Sequence, residues 1–355
     1  MRKKLFIPGP VEVREDVLAC LATPMIGHRT AQASALQHGI ADKLRQVMYT
    51  ENEIILSTSS GSGLMEGAVR SCTGKRAVVF SIGAFGDRWY RMCTANGIPA
   101  DLIQSELGQP TTPEQVEAAL STGRYDLVAV THNETATGVA NNLDELAPVL
   151  ARYPEVVFCV DAVSSLGGHR IEVDRSGIDI CITSSQKCLG LPPGLAVASV
   201  SEKAYQAAKK VPHRGLYFDY VELVDFVRER NHQYPSTPSL PHMFALDFQL
   251  DRILAEGLDN RFARHAAMAQ RVRAWAREHF ALYSNERYLS NTVTCVDNTR
   301  KLPFATLSAG LAERGYEISD GYAALKGRTF RIAHMADATL PEIEGLLDAI
   351  DDLVG

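Results

Sequence analysis

The sequence predicts an α/β protein, with a mostly parallel sheet in a large first domain followed by a smaller α+β domain. Three observations carry that expectation. Between about residues 50 and 200, short aliphatic runs alternate with helical patterns, and after Pro241 the pattern changes to long helices. The chain has 355 residues, 46% of them hydrophobic and 22% charged, which is enough for a large core and by length suggests two domains.

The aliphatic runs are EIILST, RAVVFSI, DLVAV, VVFCV, DICIT and LAVASV. Parallel strands need long crossovers, and helices on both faces leave the strands apolar throughout rather than alternating. Beyond Pro241, apolar residues recur at helical spacing through FALDFQLDRILAEGL and RHAAMAQRVRAWAREHF, a connector into the second domain. The tail offers strands in SNTVTCV and RTFRIAHM around the helical FATLSAGLAERG. It closes with LPEIEGLLDAIDDLV, an amphipathic helix entered through Pro341. These patterns divide the chain into an arm over residues 1–15, a large domain over 16–250 and a small domain over 251–355.

The formal net charge of -6, with no Lys/Arg run, gives no basic field to gather a phosphate backbone, so nucleic acid is not an expected partner. Seven cysteines scattered without close pairing suggest neither a zinc ribbon nor disulfide staples, and point to a reducing cytoplasm. The opening MRKKLFIPGP reaches Pro8 after three apolar residues, too few for a signal-peptide core, and no later run suits a membrane span.

In open parallel sheets ligands sit beyond the carboxyl ends of the strands, so the polar residues that end the apolar runs are the candidates for chemistry. EIILST ends in SSGSG, DLVAV in THNETATG, VVFCV in Asp161, and DICIT in SSQKC with Lys187. A carboxylate at the mouth of a sheet is held best by a cation such as a protonated pyridine nitrogen; the plainer reading of Asp161 is a helix cap. Lys187 lies in the small, apolar SSQKCLGLPPGLA, where lost solvation lowers an amine's pKa as a Schiff-base lysine requires; alone, it would read as a lysine snorkelling to solvent. The two together favour the chemical reading. Ser59 to Gly63 follow a strand and open a helical pattern, the form of an anion cradle built from backbone amides. A dinucleotide loop is the rival, but Glu66 stands where that fingerprint wants glycine or alanine, and a tight turn with no ligand is the plain alternative.

THNETATGV, VDAVSSLGG, GIDICITSSQKCLGLPPGLA, YPSTPS followed by EGLDNRFARH, and RTFRIAHM resemble the class V pyridoxal-phosphate-dependent aminotransferases, particularly the alanine–glyoxylate and serine–glyoxylate (serine–pyruvate) group, over nearly the whole chain. The resemblance implies the fold type I architecture with a seven-stranded sheet. It implies that Lys187 binds pyridoxal 5'-phosphate as a Schiff base, that Asp161 pairs with the pyridine nitrogen, that Ser62, Gly63 and Gln186 hold the phosphate, and that Leu64 is part of the same cofactor-binding loop. It places Phe85 against the pyridine ring and Thr135 near the phenolic oxygen. Tyr234 and Thr237 would cross a homodimer interface to the neighbour's phosphate, and Arg331 would clamp the substrate carboxylate, a task suited to its planar fork.

Plainer readings stand beside these: Phe85 as core, Tyr234 and Thr237 as turn residues around two prolines, Arg331 as a surface arginine. His28 and Arg29 are candidates for the pocket entrance, with a structural role the simpler expectation. The chain departs from the family's pattern at Leu64, where a histidine is frequent, and at Ala333 and Ala336, where glycine is common. The implied reaction moves an amino group from alanine or serine to glyoxylate or pyruvate by a ping-pong course. Rivals are a 2-aminoethylphosphonate or aspartate transaminase, a lyase of the cysteine desulfurase kind, and a non-catalytic scaffold. Desulfurases usually have histidines where Gln186 and Phe85 stand.

Overall fold

A computed structural model describes residues 3–355. Its large sheet has seven strands: β1 (Glu53–Ser57), β2 (Ala77–Ser81), β3 (Ala100–Gln104), β4 (Leu127–Thr131), β5 (Val157–Asp161), β6 (Ile180–Ser184) and β7 (Ala196–Val200). They lie in the order β1-β7-β6-β5-β4-β2-β3, and β7 is antiparallel to both its neighbours while the remaining pairs are parallel. Six of the strands are the aliphatic runs of the sequence. The seventh, β3, is a half-buried edge strand carrying Asp101 and Gln104, which explains why it lacks a continuous apolar run.

Successive residues of these strands enter opposite cores. Val78, Phe80, Val128, Val130, Phe158 and Val160 pack with Ile40 and Leu44 of helix α1 (Ala31–Met48), whereas Val79, Leu127, Ala129, Cys159 and Ile182 pack with Leu64 and Ala68 of helix α2 (Gly61–Cys72). Both faces are therefore covered, and polar side chains can reach a ligand only beyond the strand ends. Helix α3 (Ala84–Ala95) follows β2, and helix α4 (Pro113–Leu120) follows β3.

Gly257, at φ 80°, separates helix α5 (Leu240–Glu256) from helix α6 (Leu258–His279). Up to Ile253 the buried residues of α5 belong to a large-sheet core, while Met268, Val272 and Trp275 of α6 belong to a third core. That core covers a four-stranded antiparallel sheet of β8 (Ala281–Leu282), β9 (Val293–Asp297), β10 (Ser319–Asp320) and β11 (Thr329–Ala333), in the order β8-β9-β11-β10. Helix α7 (Leu340–Val354) closes over it, begun by a capping box between Thr339 and Glu342 with proline in its first turn.

The arm joins the two parts. Residues 1 and 2 of the expected arm lie outside the described residues. Lys4–Leu5 pair with Tyr316–Glu317, Phe6 enters the third core, and Val11 N–H donates to the Gln186 carbonyl at 3.1 Å. Among the described residues, no helix is long and apolar enough to cross a membrane.

Candidate active site

β6 ends at Ser184, and the chain turns back through a loop fixed by Ser185, which donates to the Pro192 carbonyl at 2.6 Å, and by Gly190 at φ 72°. This loop holds Lys187. Its amine donates to the Pro8 carbonyl of the arm, and Gly9 presses so closely that a Cβ there would lie 2.5 Å from Nζ. Glycine is needed at position 9 for both this approach and its φ of 95°. Burial above all, helped by the charges of Arg331 and Arg88 and opposed by Cys188 and Asp161, brings the Lys187 pKa down to about 8.

Asp161 is the last residue of β5 and pairs in register with Thr131. Its Oδ1 accepts the Val163 N–H at 2.8 Å, so one oxygen does cap the following turn. Among the described residues no cation forms an ion pair with it, although its residue is only 4% exposed. Burial pushes its pKa up to about 6, against the Val163 N–H and the nearby charges of Arg88 and Lys187. Lys187 and Asp161 thus sense each other's charge, and a cation set against Asp161 would relieve a standing desolvation penalty.

The Ser59–Gly63 segment forms the first turn of α2. Ser60, at the cap position, makes no side-chain bond to the helix; its carbonyl takes the Gly63 N–H at 2.9 Å, which leaves the Gly61 and Ser62 amides open to an anion. A Cβ on Gly61 would meet Val163 Cγ2 at 2.6 Å and Ser184 Cβ at 3.4 Å; bare glycine lets the turn rest against the ends of β5 and β6, beside Asp161 and Lys187. Gly63 is packed as closely against Phe218 and Ser59. The Leu64 side chain lies fully buried in a large-sheet core, so only its main chain is available to the cradle. Gln186 receives the Ser184 hydroxyl through Oε1.

The opposite wall comes from α3 and from the loop after β4. Glu134, fully buried, accepts the N–H groups of Phe85 at 3.0 Å and Gly86 at 3.4 Å through Oε2, and that of Ala136 at 2.9 Å through Oε1. Burial raises its pKa to about 7 despite those donors, and the Asp161 charge adds to the rise. The start of α3 is thereby tied to the loop that carries Thr135. Phe85 stacks on Tyr322, just after β10, with ring centroids 5.6 Å apart and planes at 19°. Arg331, on β11, is 7% exposed; its Nε donates to the Asp320 carbonyl at 3.0 Å and its Nη1 to the Thr135 carbonyl at 3.2 Å. Its Nη2 makes no hydrogen bond among the described residues, and burial lowers its pKa.

The structure thus brings Lys187, Asp161, the Ser62–Gly63 turn, Gln186, Phe85, Thr135 and Arg331 to one region between the sheets. Tyr234 and Thr237 do not join it in the same way. Tyr234 is buried in its own chain, its hydroxyl accepting the Thr58 N–H at 3.4 Å, and Ser239 N–H donates to Thr58 Oγ1 at 3.0 Å; Thr237 between them is exposed. Arg29 binds the carbonyls of Tyr234 (2.5 Å) and Pro235 (2.9 Å), so it anchors the same strap, while His28 is half-buried. Ala333 and Ala336 are both buried, and Ala336 holds φ 57°, a conformation that favours glycine. Sequence reasoning singled out neither Glu134, one residue from Thr135 in NET, nor Arg88 and Tyr322.

These groups fit pyridoxal phosphate: a buried amine, a buried carboxylate lacking a cation, an uncapped helix start that a Cβ would fill, and an aromatic face. The aminotransferase class-V family model matches residues 18–334. An uncharacterized aminotransferase of Methanocaldococcus jannaschii is 37% identical over 99% of this chain and 92% of its own length. A serine–glyoxylate aminotransferase of Arabidopsis thaliana is 29% identical over 99% of this chain and 90% of its own. The crystal structure of an alanine–glyoxylate aminotransferase from Nostoc sp. superposes with a TM-score of 0.94 at 26% identity, covering 100% of this chain and 96% of that one. A matched length of that extent, on a sheet whose strand ends gather the buried amine and carboxylate, makes this chain a member of the class-V aminotransferases, enzymes that depend on pyridoxal phosphate.

Proposed function

We propose that the chain transfers the amino group of a small amino acid, alanine or serine, to glyoxylate or pyruvate in ping-pong fashion. The observation that carries this reading is the buried Arg331, whose Nε and Nη1 are anchored while its charge is felt by Lys187. Arg331 binds the donor's carboxylate and orients its Cα toward the amine. Lys187 Nζ, with its basicity reduced to about 8, takes the Cα proton and returns it one atom away. Asp161 keeps the facing ring nitrogen protonated. Pyridoxal phosphate, when bound, supplies the electron sink for the charge left at Cα. Glu134 fixes the start of α3, so that Phe85 would lie beside a bound pyridine ring and Thr135, next to Glu134 in the chain, would lie near its phenolic oxygen.

The working unit in this proposal is a homodimer in which Thr237, exposed on its strap, reaches the neighbour's phosphate, while Tyr234, buried in its own chain against Thr58, anchors the strap. Its setting is a reducing cytoplasm, in keeping with seven cysteines that are all free. A donor screen tests the reaction: holoenzyme is mixed with alanine, serine, aspartate, 2-aminoethylphosphonate or cysteine, and the oxo product is measured. Pyruvate from alanine or hydroxypyruvate from serine, with glyoxylate aminated in the second half, is the expected result. Sulfide released from cysteine without an acceptor would instead identify a lyase.

A further inference from the structure

We propose that Arg88 is the cationic member of the cofactor's phosphate cradle, taking the place of a charge that the cradle's own turn does not supply. A phosphate monoester carries a charge of about -1.5 to -2 near neutral pH. The α2 turn offers it only neutral donors: backbone amides, the hydroxyls of Ser59, Ser60 and Ser62, and the Gln186 amide. Leu64, which could have brought a polar group, faces the core. The Lys187 amine is engaged at the other end of the cofactor.

Arg88 enters from α3. Its Nη1 donates to Ser62 Oγ at 3.1 Å, and its guanidinium lies over the Phe85 ring, 4.8 Å from the centroid. It forms no ion pair among the described residues, whereas its neighbour Asp87 is occupied by Ser81 at 2.7 Å and Gln104 at 3.0 Å. An arginine stacked on an aromatic face, with one N–H on the cradle serine and no carboxylate within ion-pair distance, presents the rest of its fork to an oxyanion. Phe85 thus supports the guanidinium as well as stacking on Tyr322, and Glu134 positions Phe85 and Arg88 through the start of α3.

The test separates phosphate recognition from general damage to the site. Apoenzyme of wild type, Arg88→Gln and Arg88→Lys is titrated with pyridoxal phosphate and, separately, with pyridoxal, which lacks the phosphate. Inorganic phosphate binding is measured by calorimetry. Arg88→Gln should weaken pyridoxal phosphate by about 10- to 100-fold, the range for a lost charge-assisted contact, while pyridoxal binding stays within about 2-fold. Arg88→Lys, which keeps the charge but not the fork, should fall between, and inorganic phosphate should bind wild type and not Arg88→Gln. In unmodified protein, inorganic phosphate should protect Arg88 from phenylglyoxal, read by peptide mass spectrometry. Equal losses for both cofactor forms, as expected if Arg88 acts only through Asp161 or on the fold, would overturn the proposal, as would unchanged phosphate binding. Because these readouts need no turnover, they stand or fall independently of the donor.

Discussion

Helices α4 and α2 begin in opposite ways. At α4, Thr112 accepts the Gln115 N–H at 3.3 Å and the Gln115 side chain accepts the Thr112 N–H at 2.8 Å, so the helix satisfies its own first turn. At α2, Ser60 makes no such bond although serine is a capable cap, and three glycine or serine residues follow it. The first start is built for stability. The second keeps the Gly61 and Ser62 amides free at a point where β5 and β6 deliver a carboxylate and an amine, and the contrast separates what the chain spends on folding from what it holds for a ligand.

The strongest way to break the account is at the amine carried by the loop after β6. Lys187→Ala should lower 2-oxo acid formation by at least about 10⁴-fold, while replacing a buried amine with a methyl should leave the apoprotein's melting temperature unchanged or higher. Next in size is the pH dependence set by Asp161. Its folded pKa of about 6 lies above the unfolded value near 3.8, so the native state holds the proton more tightly and stability falls as pH rises through that window. The loss is on the order of 2–3 kcal/mol by pH 7. Buried histidines such as His132, lowered to about 4, tilt the curve the other way, so the readout is a difference: in urea titrations of the apoproteins, wild type should lose stability relative to Asp161→Asn between about pH 4 and 6, and a cofactor whose ring nitrogen faced Asp161 would suppress that difference. Glu134, raised to about 7, extends a similar slope to higher pH in both proteins.

Ser60→Asp tests the open end itself. A carboxylate there would cap α2 and add about 0.5–1 kcal/mol to apoprotein stability, yet weaken pyridoxal phosphate by roughly 10-fold or more through repulsion. Thr112→Ala is the counterpart: it should cost about 1 kcal/mol in chemical denaturation and leave cofactor affinity unaltered. The smallest effect is expected at Ala336→Gly, where relief of the φ of 57° is partly offset by a freer unfolded chain, for a net gain of at most about 1 kcal/mol.

What was legible in the sequence follows the same division. Six strands of the large sheet could be read because burial on both faces makes their residues apolar without interruption, and their ends named Asp161, Lys187 and the Ser59–Gly63 turn. The edge strand β3 and the two-residue strands β8 and β10 could not, since half-exposed or very short pairings leave no periodic signal. Glu134 was hidden because its role is to accept backbone N–H groups some 49 residues earlier in the chain, which no local pattern records. Pro8 over Lys187, at a separation of 179 residues, was equally out of reach. Arg331 was legible through resemblance, but its anchoring to the Thr135 and Asp320 carbonyls was not.

The central claim is that one particular amine holds the cofactor, and trapping it is the most direct test. Holoenzyme reduced with borohydride and digested should carry the phosphopyridoxyl mass on the peptide containing Lys187, at close to one per chain. A label on another lysine, or none on this peptide while the protein retains transaminase activity, would contradict it.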